Sequence, residues 1–303
     1  MMRLGVIGVG HLGRHHARLL AAMPDVTLTG VADIDAGRAD EVAAQYGTRR
    51  LSPGELLGQV DAVTIAAPTA VHVELALPFV AAGVPVLVEK PIAASLAEAD
   101  RLLDAARARG TMVAAGHTER FNPAVAAALP LISAPKFVEI HRLGTFPERS
   151  LDIDVIFDLM IHDLDLLLAV LGHDVSSVEA VGVNVLTPRV DIANVRLRFA
   201  SGCIANLTAS RISRDRVRKA RFFQPQSYVS IDYASQEVEV YRLVPAEGRP
   251  KIEGGRLEVA GDEPLRRELV DFVTAVRGGT RPGVSGQDGR DALALATRIA
   301  ELM

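Results

Sequence analysis

The chain has 303 residues, 49% of them hydrophobic, and a formal net charge of −4. That is length for two domains with sizeable cores, and the charge excludes a global attraction to nucleic acid or an anionic membrane. Cys203 is the only cysteine, which excludes an internal disulfide and a cysteine-based metal cluster and fits a reducing cytoplasm.

The apolar stretch 1–13 carries too many glycines, and too short an apolar run, for a signal peptide. Residues 4–7 read as a buried strand and 12–23 as a helix stopped near Pro24. Residues 26–32 follow as a strand and 36–46 as a helix ending at Gly47. A strand is expected over 62–66, a helix over about 70–82 closed by Gly83, a strand over 84–88, a helix over 95–109 and a strand over 111–115. The most apolar segment, 60–88, contains Asp61, His72, Glu74 and three prolines. No clean apolar window of about 18 residues occurs, so no membrane-spanning helix is expected. Strands alternating with helices over short connections predict an α/β domain with a parallel, doubly wound sheet.

The pattern changes after Gly116. One strongly apolar helix is expected over 155–171, with strands over 137–142, 178–186, 193–199, 203–209, 228–232 and 238–243. Val195, Leu197 and Phe199 alternate with Arg196 and Arg198, the mark of a mainly antiparallel sheet with one wet face. Residues 245–255 read as a polar loop, and helices over 265–277 and 288–302 close the chain. The expected division is a dinucleotide-binding domain over 1–120 and an α+β domain over 121–303.

Gly8-Val9-Gly10-His11-Leu12-Gly13 is a G-x-G-x-x-G between a strand and a helix, the context in which the motif binds a dinucleotide. Gly8 permits the tight turn, Gly10 lets the pyrophosphate approach the backbone, and Gly13 lets helix and strand pack closely. The helix N-terminus offers N–H groups to the phosphates. Asp33 ends the second strand, where an acid binds the ribose 2′-hydroxyl of NAD and repels the 2′-phosphate of NADP. NAD is therefore expected over NADP, although Arg38 can swing toward that phosphate. The alternative is a structural turn beside an ordinary surface Asp33.

Glu89-Lys90-Pro91 is read as following the fifth strand of the sheet, which puts Lys90 at the carboxyl edge where ligands bind in such folds. Pro91 disfavours a helical backbone at Lys90. Asp158 and His162 are spaced i and i+4 on an otherwise apolar helix and share one face. Oxidising a secondary alcohol needs a base for the hydroxyl proton and a cation near the developing alkoxide. Histidine is the side chain that changes charge around neutral pH, so His162 is the candidate base. Lys90 stabilises the oxygen charge or shares the proton role, and Asp158 orients the site. The expectation is that folding brings these three side chains together beside the cofactor. The bland readings are a surface lysine and a helix-surface ion pair. A metal site ranks lowest, because nothing nearby supplies further ligands.

These motifs, with Ala66-Ala67-Pro68-Thr69 and His72, resemble the Gfo/Idh/MocA oxidoreductases in residue type and order across both domains. The resemblance implies a Rossmann domain followed by an open-faced, mainly antiparallel sheet domain often used for oligomerisation, hence a homodimer or homotetramer. It implies Lys90, Asp158 and His162 as catalytic residues, and Pro68, Thr69, His72 and Glu89 near the cofactor. Family members often carry Asn at the position of Thr69. Segments 116–123, 158–165 and 211–226 are similar to members that oxidise the 3-hydroxyl of UDP-N-acetylglucosamine with NAD, acting before a pyridoxal-phosphate aminotransferase in making lipid A or surface polysaccharide. Arg211, Arg214, Arg216, Arg218, Lys219 and Arg221 crowd one segment and read either as a nucleotide-diphosphate site, led by Arg211, or as a solvated face or oligomer interface. Arg120 and Asn122 read as substrate or nicotinamide contacts, or as a capping and linker element. Two other functions stay open: a dehydrogenase of a free sugar or inositol, and a non-catalytic NAD-binding regulator.

Overall fold

The computed structural model describes residues 1–146, 153–246 and 249–303. They form two compact units, Met1–His117 with Leu265–Leu293, and Thr118–Pro264 with Ala294–Met303.

The first unit begins β1 (Met2–Ile7), α1 (Gly13–Ala22), β2 (Val26–Ala32), α2 (Ala36–Gln45), α3 (Pro53–Leu56) and β3 (Ala62–Ile65). After a 3₁₀ turn over Thr69–Val71 come α4 (His72–Ala81), β4 (Val86–Glu89), α5 (Leu96–Arg109) and β5 (Val113–Gly116). The five strands lie in the order β2-β1-β3-β4-β5 and every neighbouring pair is parallel. β3, β4 and β5 are buried along their whole length, as strands covered on both faces must be. Side-chain caps set the helix starts: Asp35 accepts from the Arg38 N–H and Ser95 from the Glu98 N–H. Gly110, at φ 67°, closes α5 in the left-handed conformation. The one-turn α3 has no apolar stripe to reveal it and rests on a Ser52–Glu55 capping box.

The second unit contains α6 (Pro123–Ala128), β6 (Phe137–Leu143), a π turn over Ile156–Met160 and α7 (Ile161–Leu171). Seven strands follow: β7 (Val175–Val183), β8 (Ile192–Phe199), β9 (Ile204–Ser210), β10 (Val217–Gln224), β11 (Ser227–Asp232), β12 (Glu237–Val244) and β13 (Lys251–Leu257). Their order is β13-β12-β11-β10-β6-β9-β8-β7, with β6 and β9 parallel and the other pairs antiparallel. The expected alternation holds on β8, where Ala193, Val195, Leu197 and Phe199 are buried and the residues between them exposed.

Two segments depart from expectation. β10 runs through the basic cluster, where inward Ala220 and Phe222 alternate with Lys219 and Arg221, and cationic density hides the period. The expected polar loop 245–255 contains most of β13; residues 247 and 248 lie outside the described residues. β13 is an edge strand and buries no face, so it shows no apolar pattern. Gly254 permits its close approach, since a Cβ there would lie 1.9 Å from the Val240 carbonyl oxygen.

The chain ends with α8 (Pro264–Gly278) and α9 (Gly286–Ala300). The reading of 121–303 as one domain leaves out the return of Leu265–Leu293 to the first unit. Leu269, Phe272 and Val273 of α8 share a core cluster with Leu4, Val6 and Leu20, partners too distant in sequence for local pattern to show. Among the described residues no helix is long and apolar enough to cross a membrane.

Candidate active site

In the first unit the glycine motif forms the turn from β1 into α1. Gly8 has φ 83°, a conformation open to glycine, and a Cβ there would lie 2.6 Å from the Ala67 nitrogen. A Cβ on Gly13 would lie 1.7 Å from the Gly8 carbonyl oxygen, so helix and strand approach only without a side chain. Gly10 differs: within 4 Å its Cβ would meet only Arg38 Nη1, at 3.8 Å. The turn thus leaves an open approach to backbone at Gly10, flanked by exposed His11 and Leu12. No side chain caps α1 and no acidic residue occupies its first turn. This cradle fits a dinucleotide pyrophosphate, which would take the place a side chain fills elsewhere.

Asp33 is bound into the same turn. Its Oδ2 accepts the Val9 N–H at 2.8 Å and its Oδ1 the Asp35 N–H at 2.9 Å. Arg38 lies 3.5 Å from Asp33 Oδ1 and 3.3 Å from Asp35 Oδ2. The guanidinium therefore stands beside both Asp33 and the open backbone at Gly10.

Pro68 is exposed, and Thr69 starts the 3₁₀ turn before α4. His72 is buried, with Nδ1 3.0 Å from the Pro91 oxygen and Nε2 2.7 Å from the Ala67 oxygen. Burial lowers its pKa, so the ring is neutral and donates to one of the two carbonyls. Glu89 is the last residue of β4, the fourth strand rather than the expected fifth. Its carboxylate is buried: Oε1 meets His16 Nε2 at 3.0 Å and Oε2 accepts the Lys90 N–H at 3.2 Å. Burial pushes the Glu89 pKa up, but the hydrogen bond and charge of His16, with the Lys90 charge, outweigh it and hold the group below its ordinary value. Lys90 follows, half-buried. Glu89 thus braces the chain at Lys90, and His72 sits between the carbonyls of Ala67 and Pro91, roles the expectation of a place near the cofactor did not contain. His16, fully buried on α1, was missed altogether; its one sequence signal is a titratable residue on the apolar face beside Ala17 and Leu20.

In the second unit Asp158 lies in the π turn and His162 in the first turn of α7, both half-buried. Two buried acids that follow His162 in sequence are held in ion pairs. Arg142 on β6 grips Asp163 with Nε and Nη2, both at 2.7 Å, and reaches Glu119 at 2.8 Å. Burial disfavours the Arg142 charge, but Asp163 and Glu119 outweigh it and hold its pKa well above the usual value. Arg120 grips Asp165 at 2.7 and 3.2 Å.

Three substrate-contact expectations change here. Arg120 is largely committed to Asp165, with 17% of its side chain exposed. Asn122 is buried, caps α6 through the Ala124 N–H and donates to the Tyr233 oxygen, which is the capping role. Arg211 is buried, pairs with Asp191 at 2.9 Å and donates to the Val190 oxygen at 3.1 Å. Its cation is spent inside the fold, supporting the loop that also binds Asp154 and Val155 ahead of the π turn. Lys219 and Arg221 pair with Asp232 and Glu139, whereas Arg214, Arg216 and Arg218 are exposed. Among the described residues no cluster of His, Cys, Asp or Glu is arranged to hold a metal ion.

Comparison with known proteins agrees with this geometry. Residues 2–117 match the model of an oxidoreductase family with an NAD-binding Rossmann fold, and residues 141–228 the GFO/IDH/MocA C-terminal domain. The UDP-N-acetylglucosamine 3-dehydrogenase of Acidithiobacillus ferrooxidans is 40% identical over 98% of this chain and 96% of its own. A solved structure of that enzyme superposes with a TM-score of 0.93 at 39% identity, over 100% of this chain and 97% of the other. The myo-inositol 2-dehydrogenase of Thermotoga maritima is 28% identical over 97% of this chain and 94% of its own. A levoglucosan dehydrogenase solved with NADH and levoglucosan shares the fold, with a TM-score of 0.90 at 20% identity over 99% of this chain and 96% of the other.

Proposed function

Because the chain belongs to the Gfo/Idh/MocA family of NAD-binding oxidoreductases, we propose that it oxidises the 3-hydroxyl of a UDP-N-acetylhexosamine, UDP-N-acetylglucosamine first among them, to the 3-keto sugar. The observation that carries the substrate is the full-length similarity to an enzyme named for that reaction. Exposed Arg214, Arg216 and Arg218 support it, as guanidinium groups suit a diphosphate. NAD bound at the glycine turn supplies the hydride acceptor. The chain's own residues do the rest. His162 takes the hydroxyl proton, the Lys90 ammonium stabilises charge on the reacting oxygen, and Asp158 holds a neighbouring hydroxyl. A pyridoxal-phosphate aminotransferase is the class of enzyme that would consume the ketone. The cytoplasm is the proposed compartment, on the evidence of the single free Cys203. A homodimer or homotetramer through the open sheet face is part of the same reading, supported by the row Phe137, Phe223, Tyr228 and Tyr241 across four strands.

The test is incubation with NAD and UDP-N-acetylglucosamine, with 2-oxoglutarate and a partner aminotransferase to draw the reaction forward. NADH and a 3-keto or 3-amino product by mass spectrometry are expected. Turnover of myo-inositol with none of any UDP-sugar would replace the substrate assignment. Lys90→Met and His162→Ala variants that turn over normally would remove the catalytic one.

A further inference from the structure

Glu89 carries a buried negative charge at the root of Lys90, yet nothing in the proposed chemistry needs it to touch substrate. Each of its oxygens has a distinct partner: Oε1 faces His16 Nε2 at 3.0 Å, and Oε2 the Lys90 N–H at 3.2 Å. The space for this carboxylate is kept by Gly116 on β5, where a Cβ would stand 2.9 Å from Oε2. His16 Nδ1 is buried without a hydrogen-bond partner among the described residues. Nε2 is thus the nitrogen that faces Glu89, and the groups around the carboxylate keep it ionised. On the far side of Lys90, His72 Nδ1 lies 3.0 Å from the Pro91 carbonyl oxygen. The lysine's own N–H is thus held by Glu89, and that hold is anchored on α1, the helix that carries the glycine turn.

We propose that the buried His16–Glu89 pair is a positioning device for Lys90, tying the lysine's backbone to the cofactor-binding helix so that its ammonium group is held in its working direction. This rests on the reading of Lys90 as catalytic. Burying a charge opposes stability unless its acceptor oxygens are used; here both are used, and one of them holds the lysine's own N–H. The pair acts through Lys90, so its loss strikes turnover and spares the dinucleotide.

The test is a kinetic and binding series on the full chain, using whichever of UDP-N-acetylglucosamine and myo-inositol it oxidises. NAD Kd is measured by titration and folding by thermal melting. Glu89→Gln, close in shape, is expected to lower kcat about tenfold or more while NAD Kd stays within about threefold. His16→Leu is expected to do the same, and His16→Gln, which keeps a donor, to recover most of the rate. Combining Glu89→Gln with His16→Leu is expected to cost no more than the worse single change, because both break one linkage. Lys90→Met accompanies every run. If it turns over normally, the catalytic reading of Lys90 falls and the proposal with it. If Lys90→Met is inactive while Glu89→Gln and His16→Leu keep kcat within twofold, the proposal alone is overturned. Equal losses of kcat, NAD binding and melting temperature would likewise overturn it, since they mark a structural pair.

Discussion

Gly10→Ala separates a glycine kept for a ligand from one kept for the fold. A Cβ at residue 10 meets only Arg38 Nη1, the end of a flexible side chain, at 3.8 Å, which is ordinary contact. Its φ lies outside the left-handed range, so alanine is unstrained in the folded state and stiffens the unfolded chain. The melting temperature should hold or rise, in line with the ~0.4–1 kcal/mol gained by compatible glycine-to-alanine changes. The pyrophosphate, by contrast, needs the place the methyl group takes. Losing one backbone hydrogen bond to a charged oxygen costs about 2 kcal/mol, or roughly 30-fold in NAD Kd. The assay is NAD titration beside thermal melting of the ligand-free protein. An unchanged Kd with an unchanged melting temperature would refute the cradle. Gly13→Ala is the contrast: with its Cβ 1.7 Å from the Gly8 oxygen, it should lose stability and NAD binding together.

Asp33→Ala should weaken NAD far more than NADP and bring their Kd ratio down about tenfold or more, because Arg38 is then released beside the ribose position; equal losses for both cofactors would refute the acid's role. Arg211→Met should destabilise the fold by about 3 kcal/mol, as loss of one partner of a buried ion pair does, while the folded fraction keeps its sugar-nucleotide KM within about twofold; a raised KM with unchanged melting would return Arg211 to the substrate. Burial pushes the pKa of Asp191 up, but the Thr187 hydroxyl and the N–H groups of Val185, Leu186 and Thr187 outweigh it and set the folded value far below the unfolded one. The carboxylate's stabilisation is therefore complete above an unfolded pKa of about 3.9 and is lost as pH falls further. Urea midpoints against pH should show Asp191→Asn less stable than wild type at pH 6 and less steep below pH 4; parallel acid curves would exclude Asp191 as the source.

How much of this was legible in the sequence follows from the range of the interactions. The first sheet was readable because its strands are mostly buried runs and several of its turns carry a glycine or cap, signals confined to a few neighbours. β10 and β13 were not: one hides its period under cations and the other has no buried face. Arg211 looked like a phosphate ligand because its partner Asp191 lies 20 positions away, across the ends of β8 and β9. His16 and Glu89 are 73 positions apart. A lone charged residue reads as surface or ligand site until the fold supplies its counter-charge, so sequence reading over-assigned arginines to substrate and overlooked a histidine that braces the lysine it had found.

The same reasoning bears on the helix that carries His162. Asp163 and Asp165 follow it at alternate positions, and each is gripped bidentately by an arginine from a different element, Arg142 on β6 and Arg120 before α6. The apolar side chains of α7, Ile161, Leu164 and Leu167 among them, are buried, and the two arginines add separate anchors just after His162 that help fix the direction of its half-buried imidazole. Well-packed apolar side chains often match a buried ion pair in stability, which argues that these are retained for orientation. Replacing Arg142 by Met, Asp163 by Leu and Glu119, the second partner of Arg142, by Gln should then leave the melting temperature within about 5 °C and reduce kcat. A triple variant that kept both would show these ion pairs to be dispensable for aiming His162.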